Sequence, residues 1–99
     1  MFENQRYITR GVTAEIDPVV QLAVFTMIDA MLVKQKDYLQ VFDLKPDIKD
    51  GVTVQRITHT QEQPPYRQEL VTRCQNPVHQ KMFCIDDGDH STLLLAEEY

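Results

Sequence analysis

The chain has 99 residues, a length that suits one domain with one modest hydrophobic core. Hydrophobic residues make up 42% of it and charged residues 25%, as in soluble globular proteins. The small number of glycines, three, argues against a linker-rich or low-complexity chain. The net charge is −5, and the lysines and arginines are spread from Arg6 to Lys81. Direct nucleic-acid binding is therefore disfavoured, because it relies on a clustered basic surface. From the chain length we expect one domain over residues 1–99.

The N-terminal segment MFENQRYITR is polar and charged, without the apolar core of a secretory signal. No apolar run in the chain approaches the roughly 18 residues that span a bilayer. These two features predict a cytoplasmic protein that does not associate with a membrane. Cys74 and Cys84 are accordingly expected to be free thiols, since disulfides belong to oxidising compartments.

The first predicted strand covers residues 5–12, QRYITRGV, and ends at Gly11. Side-chain alternation along this strand would place Arg6, Ile8 and Arg10 on one face. Arg6 and Arg10 are candidate anion contacts, because the strand would deliver two guanidinium groups toward the N-terminus of the next helix. The alternative is ordinary pairing with acidic side chains at the surface.

The only predicted helix begins after Asp17, whose side chain can accept from the amides of the first turn. Pro18 fits the first helical position, where its missing N–H is not needed. The helix is expected to run to about Lys34 or Lys36, because lysines suit the negative end of the helix dipole.

This helix is apolar almost all round. Half of its circumference forms the expected core stripe, which contains Val19, Val20, Ala23, Val24, Met27, Ile28, Ala30 and Met31. Other apolar side chains, Leu22, Phe25 and Leu32 among them, point away from that stripe. A 99-residue chain can hardly cover such a helix on all sides, so these three residues are the candidate oligomer face of a homodimer. Packing under loops is the alternative.

Five further strands are predicted at residues 37–44, 52–60, 66–73, 80–87 and 91–99. The segment KPDIKDG after the first of them is rich in turn residues and is expected to be a connector. Asp87-Gly88 favours a tight hairpin between the last two strands. The element order β-α-β-β-β-β-β with short connections predicts an α+β fold, in which one long helix packs on one face of a mostly antiparallel sheet of five to six strands.

The segment ITHTQEQPPYRQEL carries the candidate interaction surface, formed by His59, Glu62, Pro64, Pro65 and Tyr66. Prolines cannot donate to a strand ladder, so they are expected to close one strand and open the next at a sheet edge, with the other three side chains near the rim. A catalytic pair of His59 and Glu62 is disfavoured, because residues in a strand exit are not held within reach of one substrate atom. A proline-rich docking motif is disfavoured as well, because strands bracket it.

Four potential zinc ligands occur in the C-terminal third of the chain: Cys74, His79, Cys84 and His90. Their spacing lacks the short knuckle that brings two ligands round one turn, and Cys84 lies in an apolar strand where a small hydrophobic residue serves equally well. Glycine-rich phosphate loops and the common hydrolase signatures are missing. We therefore expect no metal, no cofactor and no catalytic residue.

Several stretches together resemble a known family: MFENQRYITRGV, the apolar helix, DYLQVFDL and QRITHTQEQPPYRQEL. They resemble the domain-of-unknown-function family numbered 960, which comprises small proteins of Gram-positive Firmicutes and of their mobile elements. The likeness covers roughly residues 1–70 and is weaker beyond. It implies a single-domain bacterial cytoplasmic protein, and it brings no established activity, cofactor or catalytic residue.

Three hypotheses for function follow. The first is a non-enzymatic protein-binding or regulatory module that self-associates through the helix and offers a sheet face or edge to a protein partner. The second is a ligand binder or enzyme with a pocket around His59, Glu62 and Tyr66. The third is an acidic inhibitor of a nucleic-acid-binding protein, which requires carboxylates arrayed on one face.

Overall fold

Six strands and two helices form an α+β fold in the computed structural model, which describes all 99 residues. The elements in chain order are β1 (Gln5–Ile8), α1 (Arg10–Glu15), α2 (Pro18–Asp29), β2 (Leu39–Lys49), β3 (Val52–Gln61), β4 (Tyr66–Thr72), β5 (Gln80–Asp86) and β6 (His90–Leu95), followed by a 3-10 turn at Ala96–Glu98. The prediction of an α+β fold with six strands is confirmed.

The six strands form one sheet in the order β1-β6-β5-β2-β3-β4. Four of its pairings are antiparallel, and β1 runs parallel to β6 at one edge, so the sheet is mixed. The parallel edge arises because the chain crosses over the sheet through both helices between β1 and β2, while the last strand returns to lie beside the first. Local strand patterns do not encode this long-range pairing.

Both helices pack on the same face of the sheet, which we call the covered face. On β2, β3, β5 and β6 most of the side chains that point to this face are buried, whereas those of the edge strands β1 and β4 are at least partly exposed. With residues of α1 and α2 they form one hydrophobic core: Phe2, Val12, Ile16, Val20, Val24, Met27, Ile28, Phe42, Leu44, Ile57, Met82, Cys84, Leu93 and Leu95. The buried positions of α2 follow the helical period, as the sequence predicts.

The first strand is shorter than predicted, because a helix begins where the strand was expected to continue. The side chain of Thr9 accepts from the amide of Val12 at 3.4 Å and caps α1. Arg10 therefore lies on α1, and its placement on the same strand face as Arg6 is wrong. The order of elements accordingly has two helices after β1 instead of one.

The carboxylate of Glu98 lies against Gly11 at the start of α1. Glu98, near the C-terminus, accepts from the Thr9 hydroxyl at 2.6 Å and from the amides of Gly11 at 3.2 Å and Leu95 at 2.8 Å. A Cβ at position 11 would lie 2.7 Å from the Glu98 carboxylate. The small residue thus permits the two ends of the chain to be joined.

Helix α2 begins as predicted and ends earlier than predicted. Asp17 accepts from the amide of Val19 at 2.9 Å, and Pro18 occupies the first turn. The last helical residue is Asp29, five or more residues before the predicted end. Beyond it the buried side chain of Met31 and hydrogen bonds to the connector outweigh local helix propensity. With 12 residues, α2 is the longest helix, and no helix has the length and apolar character needed to cross a membrane.

The segment KPDIK belongs to β2, and its prediction as a connector is wrong. Pro46 is tolerated there because β2 pairs with β5 only up to Leu44, so beyond this point one side of the strand has no neighbour that needs an N–H. The turn that follows consists of Asp50 and Gly51, with φ of 52° and 78°. Two positive-φ residues are typical of a two-residue hairpin.

Candidate functional site

The predicted interaction stretch forms the turn between β3 and β4. Glu62, Pro64 and Pro65 are exposed in this turn, and Tyr66 begins β4 half-buried. The peptide bond before Pro64 is cis. The turn is held from beneath by Gln61, whose side-chain amide donates to the carbonyl of Pro64 at 2.9 Å. The exposed part of the predicted surface is thus three residues at the end of a hairpin.

His59 is fully buried, so its predicted place at the rim is wrong. It points to the covered face together with its strand neighbours Ile57 and Gln61. Its ring stacks on Phe42 with centroids 4.3 Å apart and meets the edge of Tyr66 at 5.3 Å. The sequence pattern locates the strand correctly and does not reveal which of its faces is covered.

Buried amides surround His59. Its Nε2 lies 2.7 Å from Oε1 of Gln40, and the amide nitrogen of Gln40 donates to the carbonyl of Asp37 and to Oε1 of Gln61. The Gln40 oxygen therefore acts as the acceptor, which assigns the proton of a neutral imidazole to Nε2. Nδ1 of His59 is the one buried side-chain polar atom without a partner. Burial lowers the pKa of His59 to about 4, so the ring is neutral at physiological pH.

The residues of the enzyme hypothesis do not share a cavity. Glu62 lines a shallow cavity of about 210 Å³ with Asp37, Tyr38 and Leu39, among others. Tyr66 lines a different groove, on the covered-face side of β4. His59 lies in the core between them, with no exposed surface. A general acid and base must reach one substrate atom, and this arrangement separates them.

The four potential zinc ligands are dispersed. No group of three or more histidine, cysteine, aspartate or glutamate side chains is arranged to hold a metal ion. Both cysteines are free. Cys84 is buried in the core, and burial raises the pKa of its thiol to about 12, whereas Cys74 is half-buried after β4. A thiol with such a pKa is a small hydrophobic side chain in its chemical behaviour.

Arg6 is engaged by the protein itself. Its guanidinium donates to Asp29 at the end of α2, with one N–O distance of 3.2 Å, and to the carbonyl of Phe2 at 2.9 Å. The hydrogen bond from Arg6 lowers the pKa of the Asp29 carboxyl. Arg10 is exposed on α1. Arg6 therefore pairs with an acidic side chain at the surface, which was the alternative to anion binding. Its partner, Asp29, lies 23 residues away in the chain.

The three residues of the predicted oligomer face differ in exposure. Leu22 is 70% exposed and Leu32 is 98% exposed. Phe25 is half-buried against the core, and the guanidinium of Arg6 lies 5.0 Å from the centre of its ring. Phe25 is therefore partly a core residue, while the two leucines are free for contact with another molecule.

A groove of about 480 Å³ runs between α2 and β4. The helix contributes Met27 and Ala30 to its wall, and Leu32 stands at its end. The groove exists because α2 packs over β3 and leaves β4 uncovered at the sheet edge. Its strand wall consists of Tyr66, Gln68, Glu69 and Leu70.

The other face of the sheet carries no helix, and we call it the open face. Its centre is apolar over three neighbouring strands, where Val41 of β2 lies opposite Phe83 of β5, and Phe83 lies opposite Leu94 of β6. Leu39 and Ile85 form the adjacent pair. Leu94 is buried, and the other four side chains are partly exposed. The patch follows the predicted strand pattern of residues 37–44, which is apolar on both faces. Sequence reasoning attributed that pattern to a central strand and did not identify the patch.

Charged residues of both signs flank the apolar patch on the open face. Asp43 lies opposite Lys81 in the β2–β5 register. Arg56 contacts Asp47 and also Glu69, whose carboxylate pairs with Arg67 as well. The open face therefore lacks the uniform array of carboxylates that a nucleic-acid mimic requires.

The sequence profile of a family described as "Staphylococcal protein of unknown function (DUF960)" matches residues 5–98. The chain belongs to this family. The match includes β5 and β6 and so extends beyond the stretch of residues 1–70 on which the resemblance was based. Every strand, both helices and the Glu98 carboxylate lie within the family's span.

A crystal structure of a protein of unknown function from Enterococcus faecalis is similar in fold. The TM-score is 0.76 at 22% sequence identity, and the alignment covers 98% of this chain and 92% of the other. At this identity the similarity establishes the fold and nothing about activity. No curated protein matches the chain significantly. The family and the structural neighbour are both described as being of unknown function.

Proposed function

We propose that the protein is a non-enzymatic protein-binding module that contacts its partner with the open face of the sheet. The observation that carries this proposal is the apolar patch of Leu39, Val41, Phe83 and Ile85 around the buried Leu94, which is contiguous in the strand register, partly exposed and without an α-helix over it. Apolar surface that remains uncovered in a folded domain is typical of protein contact sites.

The occupant that fits this face is an amphipathic helix of another protein. Sheets bury an apolar face against a second layer, and the covered face of this same sheet already packs α2. A helix on the open face would complete a three-layer arrangement. The acidic residues Asp37 and Glu62 line the cavity at one end of the patch, so the complementary helix carries a lysine or arginine at that end.

Binding is favoured over catalysis by the state of the polar groups. His59 is neutral, buried and bonded to Gln40, and Arg6 is bonded to Asp29, so these side chains serve the fold. Of the three residues in the enzyme hypothesis, only Glu62 borders the open face. There it supplies a negative charge at the edge of the apolar patch. The third hypothesis, an acidic inhibitor of a nucleic-acid-binding protein, is disfavoured by the alternating charges beside the patch.

The experiment compares lysine substitutions on and off the open face. A photo-crosslinking residue at position 41 identifies the partner in the native host, and purified partner is then titrated with variants. Val41→Lys should weaken binding at least about tenfold, because it places a charge in an apolar contact. Thr13→Lys, at an exposed position of α1 that faces away from the patch, serves as the control for added charge. Equal binding by both variants would refute the proposal.

A further inference from the structure

Strand β4 offers a free edge to an additional strand. It pairs with β3 only, and its four central residues, Arg67 to Leu70, are exposed. The opposite edge of the sheet, β1, has four residues, whereas β4 has seven. Natural proteins usually protect such edges, because unpaired backbone N–H and C=O groups pair readily with another chain. On this edge the charged side chains, Arg67 and Glu69, have opposite signs.

We propose that two copies of the chain associate by antiparallel pairing of β4 with β4, which joins their sheets into one sheet of twelve strands. Residues that lie opposite each other in an antiparallel pair point to the same face of the sheet. A two-fold axis perpendicular to the sheet must therefore lie at one residue position, and the residue at that position lies opposite the same residue of the second copy. With Gln68 at the axis, Arg67 lies opposite the partner's Glu69, and Tyr66 lies opposite the partner's Leu70. Every cross-strand contact in this register is then polar with polar or apolar with apolar.

Charge selects this register over its neighbours. An axis at position 67 places Arg67 opposite its own copy, and an axis at position 69 does the same for Glu69. An axis at Leu70 sets Arg67 opposite the partner's Arg73. Each of these alternatives puts like charges directly across the strand pair, which is destabilising, whereas the axis at Gln68 creates two symmetric ion pairs. Pro65, which has no N–H to donate, ends the ladder next to Tyr66.

On the covered face, the contact between the two copies would bury the apolar groove between α2 and β4. Tyr66, Gln68 and Leu70 point to the covered face, because they lie opposite Gln61, His59 and Ile57 in the β3–β4 register. In the joined sheet the two β3 strands are three spacings, about 14 Å, apart, so the two α2 helices stand wider than the 8–10 Å of direct helix packing. Leu32, which is 98% exposed at the groove, is placed to fill this gap together with the two copies of Leu70.

The test is a charge swap in trans, measured by sedimentation equilibrium and native mass spectrometry. Arg67→Glu alone and Glu69→Arg alone each put like charges opposite each other twice per dimer, so each should raise the dimer dissociation constant at least about tenfold. An equimolar mixture of the two variants restores both ion pairs and should form the heterodimer. Lys81→Glu, on the open face, changes the net charge by the same amount as Arg67→Glu and should leave the dimer intact.

Glu69→Arg also removes a partner of Arg56, so its folding is checked by thermal unfolding. If that variant does not fold, Arg67→Gln takes its place: it keeps the pair of Arg56 and Glu69 and removes the cross-strand ion pairs without adding repulsion, so it should weaken the dimer less than Arg67→Glu does. A wild-type chain that stays monomeric at millimolar concentration overturns the inference, as does a dimer that Arg67→Glu leaves unchanged. Open-face binding is measured separately with Val41→Lys, so the two proposals fail independently.

Discussion

The two faces of the sheet are built from the same strands, but one is covered by helices and the other is not. Phe42 on the covered face has no exposed surface, while its neighbour Val41 on the open face is half-buried. Both faces are apolar in the centre, yet only one receives the helices. An apolar residue in a strand therefore indicates a surface that avoids water, and the partner that supplies the cover can belong to the chain or to another molecule.

The largest expected effect contrasts two phenylalanines on neighbouring strands. Phe42→Ala should destabilise the fold by about 3–5 kcal/mol, because it opens a cavity in the core and removes the ring that stacks on His59. Phe83→Ala, on the open face, should cost about 1–2 kcal/mol, because its ring is partly exposed and contacts the exposed Tyr99 instead of the core. Urea unfolding at low protein concentration measures both. Equal losses would mean that the open face is covered in solution.

The covered face should also make stability depend on pH. The folded pKa of His59 is lowered from 6.5 to about 4, so the unfolded chain takes up a proton at a pH where the folded chain does not. Stability is thus fully present above pH 6.5 and is lost as the pH falls toward 4, by up to about 3 kcal/mol at 1.36 kcal/mol per pKa unit. His59→Gln should be less stable at pH 7 and should lack this loss.

His79→Gln is the matched control, because His79 is exposed, and it should keep the wild-type pH dependence. Titration of the histidine ring signals by NMR measures the same quantity directly. A His59 resonance that titrates near 6.5 in the folded protein would contradict the buried, neutral ring.

A smaller effect is expected at the closure of the chain ends. Gly11→Ala should destabilise the protein by about 1 kcal/mol, because the new Cβ displaces Glu98 from its hydrogen bonds. In the background of Glu98→Ala the same change should stabilise by up to about 1 kcal/mol, since alanine is the better helix former. The sign reversal in this double-mutant cycle is the critical result, and additive effects would disprove the close approach.

The smallest effects on folding are expected at Leu22 and Leu32. Lysine at either position should change the free energy of unfolding by less than about 0.5 kcal/mol, because both side chains are largely in water. The two should differ in self-association: Leu32 lines the groove beside β4 and Leu22 does not. Leu32→Lys should therefore weaken the dimer, while Leu22→Lys should leave it unchanged, as sedimentation can determine.

Local chemistry made most of the fold predictable. Asp17-Pro18 marked the start of α2, and alternation with turn residues located all six strands. What failed depends on distant residues: α2 ends early because the following segment binds Gln61, and β2 continues through Pro46 because its outer side has no neighbour there. Neither contact has a signature within its own segment.

The site was predicted less well than the fold, for the same kind of reason. The prediction placed the turn at Glu62 and the prolines correctly at the end of a hairpin. The burial of His59 could not be predicted, because it depends on which face of the sheet the helices cover. The open-face patch requires the register of three strands, of which β2 and β5 are about 40 residues apart in the chain. The two-sided apolar pattern of β2 was the available signal.

The pairing of β1 with β6 has a consequence for the rate of folding. β1 pairs only with β6, the amide of buried Phe2 donates to Asp86, and Glu98 accepts from the Thr9 hydroxyl. These contacts join residues more than 80 positions apart in the chain, so a long loop must close before any of them can form. We therefore expect this edge of the sheet to form late in folding, and the amides of β1 should gain protection from hydrogen exchange after those of β2 and β3.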